Sequence, residues 1–434
     1  MATYSTDYDL AILGGSRGSR FAACRAAQTG SRISLNAPSW RTSDAMEILL
    51  QSLQSPHIRD WAALRDWFNL QCQSAVSPTA LSPHGIDVIL EPARFTPELA
   101  LRLENRHLKA SRYLLTDGYG TSIPHGAQDS LSCHQLAQLR TLPHHIAIVG
   151  SGATAVEWAY ALSRFANVTL IQNERSLLPA ADCDIQRLSQ AQLKSVGITL
   201  ASLEDCLDSD SRQIDAKHVE ADLLVVVPSH SWEALQLENV GIETPITVNR
   251  HLQTTCNQVY ASGSSLGGEN RPELAQQETI IALENALFGK RHTLDYGRTF
   301  YAIQLLSPIG HWGLTERQAR ERHGDDVQVF QAACLPAVAD DGAQTNFCKL
   351  IIQGMQILGM HLMGDGAPAL AAVLGHRPTI ATLSQGIAAG VQTGTLYDAI
   401  HQAVEKWHHH RWSEGQWRRD WAENWFNFRR SLGN

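Results

Sequence analysis

The stretch HIAIVGSGATAVEWAYALSRFANVTLIQ, residues 145–172, decides the fold. It opens with an apolar run of strand length, continues through the glycine-rich turn GSGATA, and then places small and apolar residues at helical spacing. A second apolar run closes the stretch. This order predicts a βαβ unit, in which a tight turn leads from a parallel strand into a helix.

The turn of this unit matches the GxGxx(G/A) pattern of dinucleotide-binding proteins. Gly150 permits the tight turn, Gly152 lets backbone amides approach a pyrophosphate, and Ala155 lets helix and strand pack closely. The helix N-terminus then faces the anion. The alternative is a tight βα turn without a ligand. The ribose-binding acid expected near Gln172 is absent, and Arg175 is a weak indication of a 2′-phosphate, so NAD and NADP both stay open.

A weaker copy of the pattern, YDLAILGGSRGS, stands near the N-terminus. Gly14, Gly15 and Gly18 are present, but Ser16 and Ser19 stand where the second and third glycines belong. Their side chains crowd both the phosphate approach and the packing of the helix. Dinucleotide binding and an unliganded turn are both open here, while two βαβ units in one chain predict two doubly wound domains.

The rest of the chain adds two further predictions. Between the units, residues 39–142 are expected to contribute helices that pack on the first sheet. After the second unit, VYASGS reads as strand and turn, followed by a helix from about Pro272 to Phe288. From Thr299 onward, strand-like runs such as NFCKLIIQGMQILGMHL alternate with helical segments, which predicts an α+β domain.

The C-terminal stretch 405–434 contains five of the eleven tryptophans. Trp417, Trp421, Trp425 and Phe428 fall on one face of a helix. Such a stripe is typical of packing on the protein's own body or on a dimer mate. Binding to a membrane surface or to a partner protein is the alternative.

Composition excludes several functional classes. The 434 residues carry 35 Lys+Arg against 43 Asp+Glu, a net charge of −8, with 18% charged and 44% hydrophobic residues. This ordinary globular usage argues against disorder and against nucleic-acid binding. The eight cysteines are scattered without a CxxC motif, and three consecutive histidines at 408–410 cannot all face one ion, so we predict no metal site.

The N-terminus carries acids where a secretory signal needs basic residues, and the longest charge-free stretch is interrupted by polar residues. We therefore expect a cytoplasmic protein, with membrane association through the C-terminal helix as an open addition.

In their order along the chain, these motifs resemble the class I pyridine nucleotide-disulfide oxidoreductases, the flavoprotein family of dihydrolipoamide dehydrogenase, glutathione reductase and mercuric reductase. The resemblance covers about residues 7–404 and rests on YDLAILGGSRGS for the FAD phosphate turn and IAIVGSGATAVEWA for the nicotinamide turn. RYLLTDG, VYASGS and NFCKLIIQGMQILGMHLMGDGAPAL match further family segments. It implies FAD at the first turn with Gly118, Gly263 and Ser264, NAD(P)H at the second turn, and a homodimer.

The resemblance also implies an α/β fold with two Rossmann-like dinucleotide-binding domains and an α+β dimerisation domain. The implied boundaries are 1–143 and 246–297 for the FAD-type domain, 144–245 for the NAD(P)-type domain, 298–404 for the dimerisation domain and 405–434 for an aromatic C-terminal helix.

Several family residues are missing from this chain. The redox-active CxxxxC helix should lie around residues 36–50, where there is no cysteine. Asp117 stands where the family has a threonine, and Ser264 stands where it has an aspartate. Thr393 and Asp398 replace the acid/base histidine and glutamate. Disulfide reduction by a dithiol is therefore not expected.

Two functions follow from this mixture. The first is a FAD-dependent NAD(P)H oxidoreductase that passes hydride to flavin and on to a non-disulfide acceptor, with Glu157 matching the family's glutamate near the nicotinamide. The second is a non-catalytic dimeric scaffold or regulatory protein that has lost flavin chemistry. Ser16, Ser19 and Ser264 favour the second function, whereas the kept second turn and Glu157 allow the first.

Overall fold

The structure is a computed structural model in which the chain divides into two compact units, Met1–Asp295 and Tyr296–Asn434. The residues that it describes are 7–38, 40, 48, 60–74, 77–117, 119, 121–122, 130–136, 138–206, 220–226, 229–230, 232–267, 271–335, 344–375, 379–387, 393–413 and 416–432.

Among these residues the strands, in chain order, are β1 (Tyr8–Leu13), β2 (Ile33–Asn36), β3 (Ile86–Ile89), β4 (Arg94–Phe95), β5 (Leu101–Arg102), β6 (His107–Leu108), β7 (Ala110–Leu115), β8 (Thr121–Ser122), β9 (Leu131–Ser132), β10 (His145–Val149), β11 (Asn167–Gln172), β12 (Thr199–Ser202), β13 (Leu223–Val226), β14 (Ser229–His230), β15 (Val259–Ala261), β16 (Phe300–Ile303), β17 (Ile309–Gly313), β18 (Val327–Cys334), β19 (Asn346–Gln353) and β20 (Gln356–Met363).

The α-helices of the described chain are α1 (Arg17–Ala27), α2 (Trp61–Ser74), α3 (Cys133–Leu136), α4 (Ala153–Leu162), α5 (Cys183–Ser195), α6 (Leu203–Cys206), α7 (Pro272–Phe288), α8 (Glu316–His323), α9 (Ala367–Leu374), α10 (Ile380–Ile387), α11 (Leu396–Ser413) and α12 (Gln416–Leu432).

The first sheet has the strand order β15-β7-β1-β2-β3, and its neighbouring strands all pair in parallel. Leu10 and Ile12 of β1 face α1 and α7 on one side. Ala11 and Leu13 face the small antiparallel sheet β4-β5-β6 on the other. Because both faces are covered, β1 needs a nearly continuous apolar run, as its sequence YDLAIL shows.

The second sheet repeats this plan with the order β12-β11-β10-β13-β9, again in parallel. The helix α4 follows β10 directly and is buried along most of its length. The alanines and the Val156 side chain of α4 let it lie close to the sheet, which is the packing that a βαβ unit requires.

The unit Tyr296–Asn434 contains an antiparallel sheet with the order β16-β17-β20-β19-β18. Apolar side chains of α9, α10 and α11 form one core with alternate residues of its strands. Two parallel sheets and one antiparallel α+β unit confirm the predicted fold class, whereas the proposed domain boundaries stay a prediction.

Two expectations about local structure need correction. The segment 39–142 contains the helix α2, but its described residues also supply β3 and β7 to the first sheet and the whole sheet β4-β5-β6. Short apolar runs are ambiguous between helix and strand, and here pairing with β1 and β2 decides the outcome. At the C-terminus, α11 already begins at Leu396, so the aromatic segment is two helices separated by residues 414–415, which lie outside the described residues.

Candidate functional site

The two glycine-rich turns occupy equivalent places in their sheets. The turn after β1 lies between strands β2 and β7, and the turn after β10 lies between β11 and β13. In each sheet the strand order reverses at that point, and parallel sheets bind ligands in the crevice at such a reversal. The topology therefore gives both turns the position of a dinucleotide site.

The second turn is built from small residues and has a glycine at the N-cap of its helix. Gly150 has a φ of +152°, and a Cβ atom there would lie 2.6 Å from the Cβ of Ala155, so both positions need small residues. Gly152 is the N-cap of α4 in an extended conformation and has no side chain that could cap the helix. A helix start preceded by such a glycine is typical of a pyrophosphate site.

The loop after β11 is tied to this turn by Ser151. The Ser151 hydroxyl accepts a hydrogen bond from the Glu174 amide at 3.0 Å, and its carbonyl accepts one from the Leu178 amide at 2.8 Å. Arg175, the candidate for a 2′-phosphate, lies next to this anchor and is exposed. Its contact with a nucleotide stays a prediction.

Glu157 on α4 forms a bidentate ion pair with Arg271, the residue before α7. The two guanidinium nitrogens donate to the two carboxylate oxygens at 2.8 and 3.0 Å, and the residues are 2% and 5% exposed. A buried charge needs such a partner, because leaving it unpaired is costly. The pair joins the helix of the second turn to the helix that packs on the first sheet, while the catalytic role predicted for Glu157 stays a prediction.

The first turn is built differently at the same place. Ser16 is the N-cap of α1, and its hydroxyl accepts a hydrogen bond from the Ser19 amide at 3.2 Å. The fully buried Ser19 hydroxyl contacts the hydroxyl of Thr116 at 2.6 Å and donates to the carbonyl of Asp117 at 3.1 Å. Gly14, at a φ of +148°, packs against the same end of β7. The helix start is thereby fastened to the neighbouring strand by side chains.

The ends of β7 and β15 are joined by a carboxylate. One oxygen of Asp117 accepts hydrogen bonds from the amide and the hydroxyl of Ser264, each at 2.5 Å. The preceding amide, that of Gly263, donates to the carboxylate of Glu278 on α7 at 2.5 Å. Two successive amides of one turn are therefore each bound by an acidic side chain of the protein itself.

The remaining predicted positions fall into two groups. Gly15 and Gly18 lie in the first turn, where the Gly15 carbonyl accepts a hydrogen bond from Arg20 at 3.0 Å and a Cβ at Gly18 would meet only the Ser16 hydroxyl, at 3.6 Å. Gly118 lies outside the described residues, as does most of the segment 36–50 beyond its first residues.

Asp398, which stands in the place of the family's glutamate, forms hydrogen bonds at the start of its own helix, α11. Its carboxylate accepts hydrogen bonds from the Gly394 amide at 3.1 Å and from the Gln402 side chain at 3.0 Å. These bonds, the amide first, hold the pKa of Asp398 below its ordinary value. A carboxylate stabilised in this way is a weak base, so its environment differs from that of a proton-transfer group.

Arg271 and Glu278 are site residues that sequence reasoning missed. Arg271 lies 114 positions from its partner Glu157, whereas Glu278 lies 15 positions from Gly263, and neither belongs to a recognisable motif. The signal that could have found Glu278, which is 4% exposed, is its helical spacing from the buried Ala275 and Ala282.

The family model for pyridine nucleotide-disulphide oxidoreductases matches residues 8–279, which is more than half of the chain. The chain belongs to this family. The resemblance inferred from the motifs is confirmed, and both turns and the ends of β7 and β15 lie inside the matched region.

Individual relatives support the same conclusion. A dihydrolipoyl dehydrogenase of Bacillus subtilis (strain 168) is 26% identical, with 83% of this chain and 89% of that protein covered. A mercuric reductase of Staphylococcus aureus is 26% identical over 66% of this chain, and the match spans only 57% of that enzyme. The structure of the HOCl-induced flavoprotein disulfide reductase RclA from Escherichia coli has a TM-score of 0.72 at 21% identity, covering 92% of this chain and 99% of RclA. The last similarity concerns the fold.

No helix in the described part of the chain is both long enough and apolar enough to cross a membrane.

Proposed function

We propose that this family member binds a pyridine nucleotide, NAD(P), at the turn 150–155 and does not reduce disulfides. The observation that carries the proposal is the set of small residues at the N-terminus of α4. Gly150, Gly152 and Ala155 leave room for a pyrophosphate, and the dipole of the helix favours its negative charge there. Bound there, the nucleotide would supply hydride chemistry in any reaction.

The cysteines support the second half of the proposal. Burial raises the pKa of the Cys206, Cys334 and Cys348 thiols, which makes them poor nucleophiles. Within the described residues the free cysteines are Cys24, Cys183, Cys206, Cys256, Cys334 and Cys348. None follows the second strand of the first sheet, where the family's redox pair stands.

Calorimetric titration of the full chain with NADH and with NADPH tests the proposal directly. We expect binding of at least one of them, without reduction of lipoamide, glutathione disulfide or Hg²⁺ in steady-state assays. Absence of binding to both nucleotides would refute the assignment of the turn, and disulfide reduction would refute the loss of dithiol chemistry.

Two partners belong to the same proposal. The matched family and the antiparallel unit support a homodimer built on the C-terminal unit. The exposed aromatic face of α12 supports a further contact: Trp421, Trp425 and Phe428 are 57%, 45% and 53% exposed and contact one another in sequence. About half of the surface of each of these side chains is exposed, and the side chain of Trp417 lies outside the described residues.

The contact of α12 is a membrane surface or a partner protein, in either case at a cytoplasmic location. A chain ending at Ser413 tests it, since α12 begins at Gln416. We expect the shortened protein to keep its nucleotide affinity and its dimer but to lose co-sedimentation with anionic vesicles or a co-purifying partner. Loss of the dimer would instead place the aromatic face between two copies.

A further inference from the structure

We propose that the first turn of this protein is closed to FAD, because the chain's own hydroxyl and carboxyl groups occupy the donors that a dinucleotide pyrophosphate would need. The inference concerns a site separate from the proposed NAD(P) turn, so the two can fail independently.

The first step concerns the helix start. A pyrophosphate carries negative charge and is bound by amides at a helix N-terminus. At α1 the Ser19 amide already donates to the Ser16 hydroxyl at 3.2 Å, and the two serine hydroxyls lie 2.9 Å apart. The Ser16 side chain stands where an approaching phosphate requires a glycine. At α4, by contrast, that position is Gly152.

The second step concerns the turn after β15. Gly263 has a left-handed φ of +69°, and successive amides in such a turn form a concave site for anions. Here the anions are side chains: Glu278 binds the amide of Gly263, and Asp117 binds that of Ser264. A Cβ atom on Gly263 would meet an Asp117 carboxylate oxygen at 2.5 Å, which shows how closely the carboxyl group is seated.

The third step is electrostatic. Glu278 is buried, and the carboxyl groups of Asp117 and Glu278 both contact the turn after β15 at the sheet edge. A phosphate brought to that edge would find the amides taken and two carboxylates beside them. Like charges at short distance in a site with little water repel strongly. The residues present at this edge therefore do not fit FAD.

Compared with the family, the hydroxyl and the carboxyl side chains at positions 117 and 264 have changed places. The family has a hydroxyl at the position of Asp117 and a carboxyl at the position of Ser264, and this chain has the reverse. The acid is kept at the sheet edge, but it now binds the protein's own turn. A nucleotide at the second turn then has no flavin to reduce, which favours the scaffold or regulatory function over the oxidoreductase.

The direct test is the visible absorbance of the freshly purified full chain, followed by titration with FAD. We expect no flavin band and no FAD binding at concentrations that saturate ordinary flavoproteins. Purification with near-stoichiometric flavin, or saturable binding of added FAD, would overturn the proposal. NADH and NADPH titrations of the same sample report separately on the second turn.

A gain-of-function variant tests which residues close the site. It combines Ser16→Gly, Ser19→Gly, Asp117→Thr, Ser264→Asp and Glu278→Ala. We expect FAD affinity to rise at least about tenfold over the unaltered chain, with NAD(P) affinity unchanged. If the folded variant gains no affinity, these residues are not what closes the site.

The exchange itself provides a second measurement if the combined variant does not fold. Ser264→Asp alone places two carboxylates at hydrogen-bond distance and should lower the midpoint of thermal unfolding. Asp117→Thr in the same chain should restore most of that loss. Equal midpoints for the single and double variants would overturn the coupling of the two positions.

Discussion

The two strand, turn and helix units of this chain share one plan and differ at the helix N-terminus. After β10 the N-cap of α4 is Gly152, which has no side chain, whereas after β1 the Ser16 hydroxyl caps α1. The neighbouring strand end adds to the contrast, since Asp117 closes the turn at Ser264. The residue at the helix N-cap therefore distinguishes the two turns, because the leading glycine is present in both of them.

The largest expected effect comes from breaking the ion pair between Glu157 and Arg271, which joins the helix of the second turn to the residue before α7. Arg271→Ala removes both ionic hydrogen bonds to the buried Glu157 carboxylate, so we expect a loss of about 3–5 kcal/mol in the free energy of unfolding. Urea denaturation of the full chain measures it. Arg25→Ala is the matched control, because its pair with Glu284 is 44% and 25% exposed and should contribute at most about 1 kcal/mol. Equal losses in the two variants would contradict the structural importance of the buried pair.

The next largest effect is expected on NAD(P) binding at the second turn, residues 150–155. Gly152→Val places a branched side chain at the helix start, and we expect NAD(P) affinity to fall at least about 100-fold, or about 2.8 kcal/mol. Calorimetric titration measures the change, and circular dichroism confirms the fold.

Gly18→Val is its counterpart in the closed turn, where a Cβ meets only the Ser16 hydroxyl at 3.6 Å. We expect this variant to bind NAD(P) normally. A comparable loss of affinity in both variants would mean that the two turns are not functionally distinct.

A smaller effect is expected from the buried serine of the closed turn. Ser19→Ala removes one hydrogen bond each from the Thr116 hydroxyl and the Asp117 carbonyl. Because the Leu13 carbonyl and the Ser16 amide still bond to these two groups, we expect a loss of about 0.5–1.5 kcal/mol in unfolding free energy. Thermal and urea unfolding measure the loss. Ser31→Ala, whose hydroxyl pairs with Thr29 in an exposed position, should stay within about 0.5 kcal/mol. If Ser19→Ala leaves NAD(P) affinity unchanged, the first turn takes no part in NAD(P) binding.

The smallest expected effect is on the pH dependence of stability and comes from Asp398, which lies outside both turns. The pKa of Asp398 is lowered by the Gly394 amide and the Gln402 side chain, so its stabilising contribution is present above the unfolded-state pKa of about 3.9 and is lost as pH falls through the folded-state value. Asp398→Asn should therefore lower stability slightly at neutral pH and match the unaltered protein in acid. A difference that persists or grows in strong acid would contradict this assignment.

Local patterns predicted much of this structure. The apolar runs of β1 and β10 and the glycines after them lie within a few residues of each other, so the two units and their turns follow from spacing alone. The helix Pro272–Phe288 was placed at its observed ends, because proline suits the first helical position and Gly289 suits the end.

The contacts that distinguish the turns could not be predicted in the same way. Asp117 and Ser264 are 147 positions apart, and Glu157 and Arg271 are 114 apart. Their pairing depends on β15 lying beside β7 and on α7 returning to the first sheet, and neither arrangement is encoded in a local pattern. Sequence alone indicated that Ser264 departs from the family, but not that Asp117 compensates for it.

The contact between Asp117 and Ser264 also constrains how such a chain could arise from a flavin-binding ancestor. With threonine at 117 and aspartate at 264 as the starting point, gaining the acid at 117 first would set two carboxylates against one turn. Losing the acid at 264 first would leave the amides of that turn to water, which is the milder intermediate. On this path the contact of the residue at 264 with the flavin is lost before the hydrogen bonds between Asp117 and Ser264 form. Once aspartate is present at 117, a return to aspartate at 264 is unfavourable, because it would again place two carboxylates against one turn.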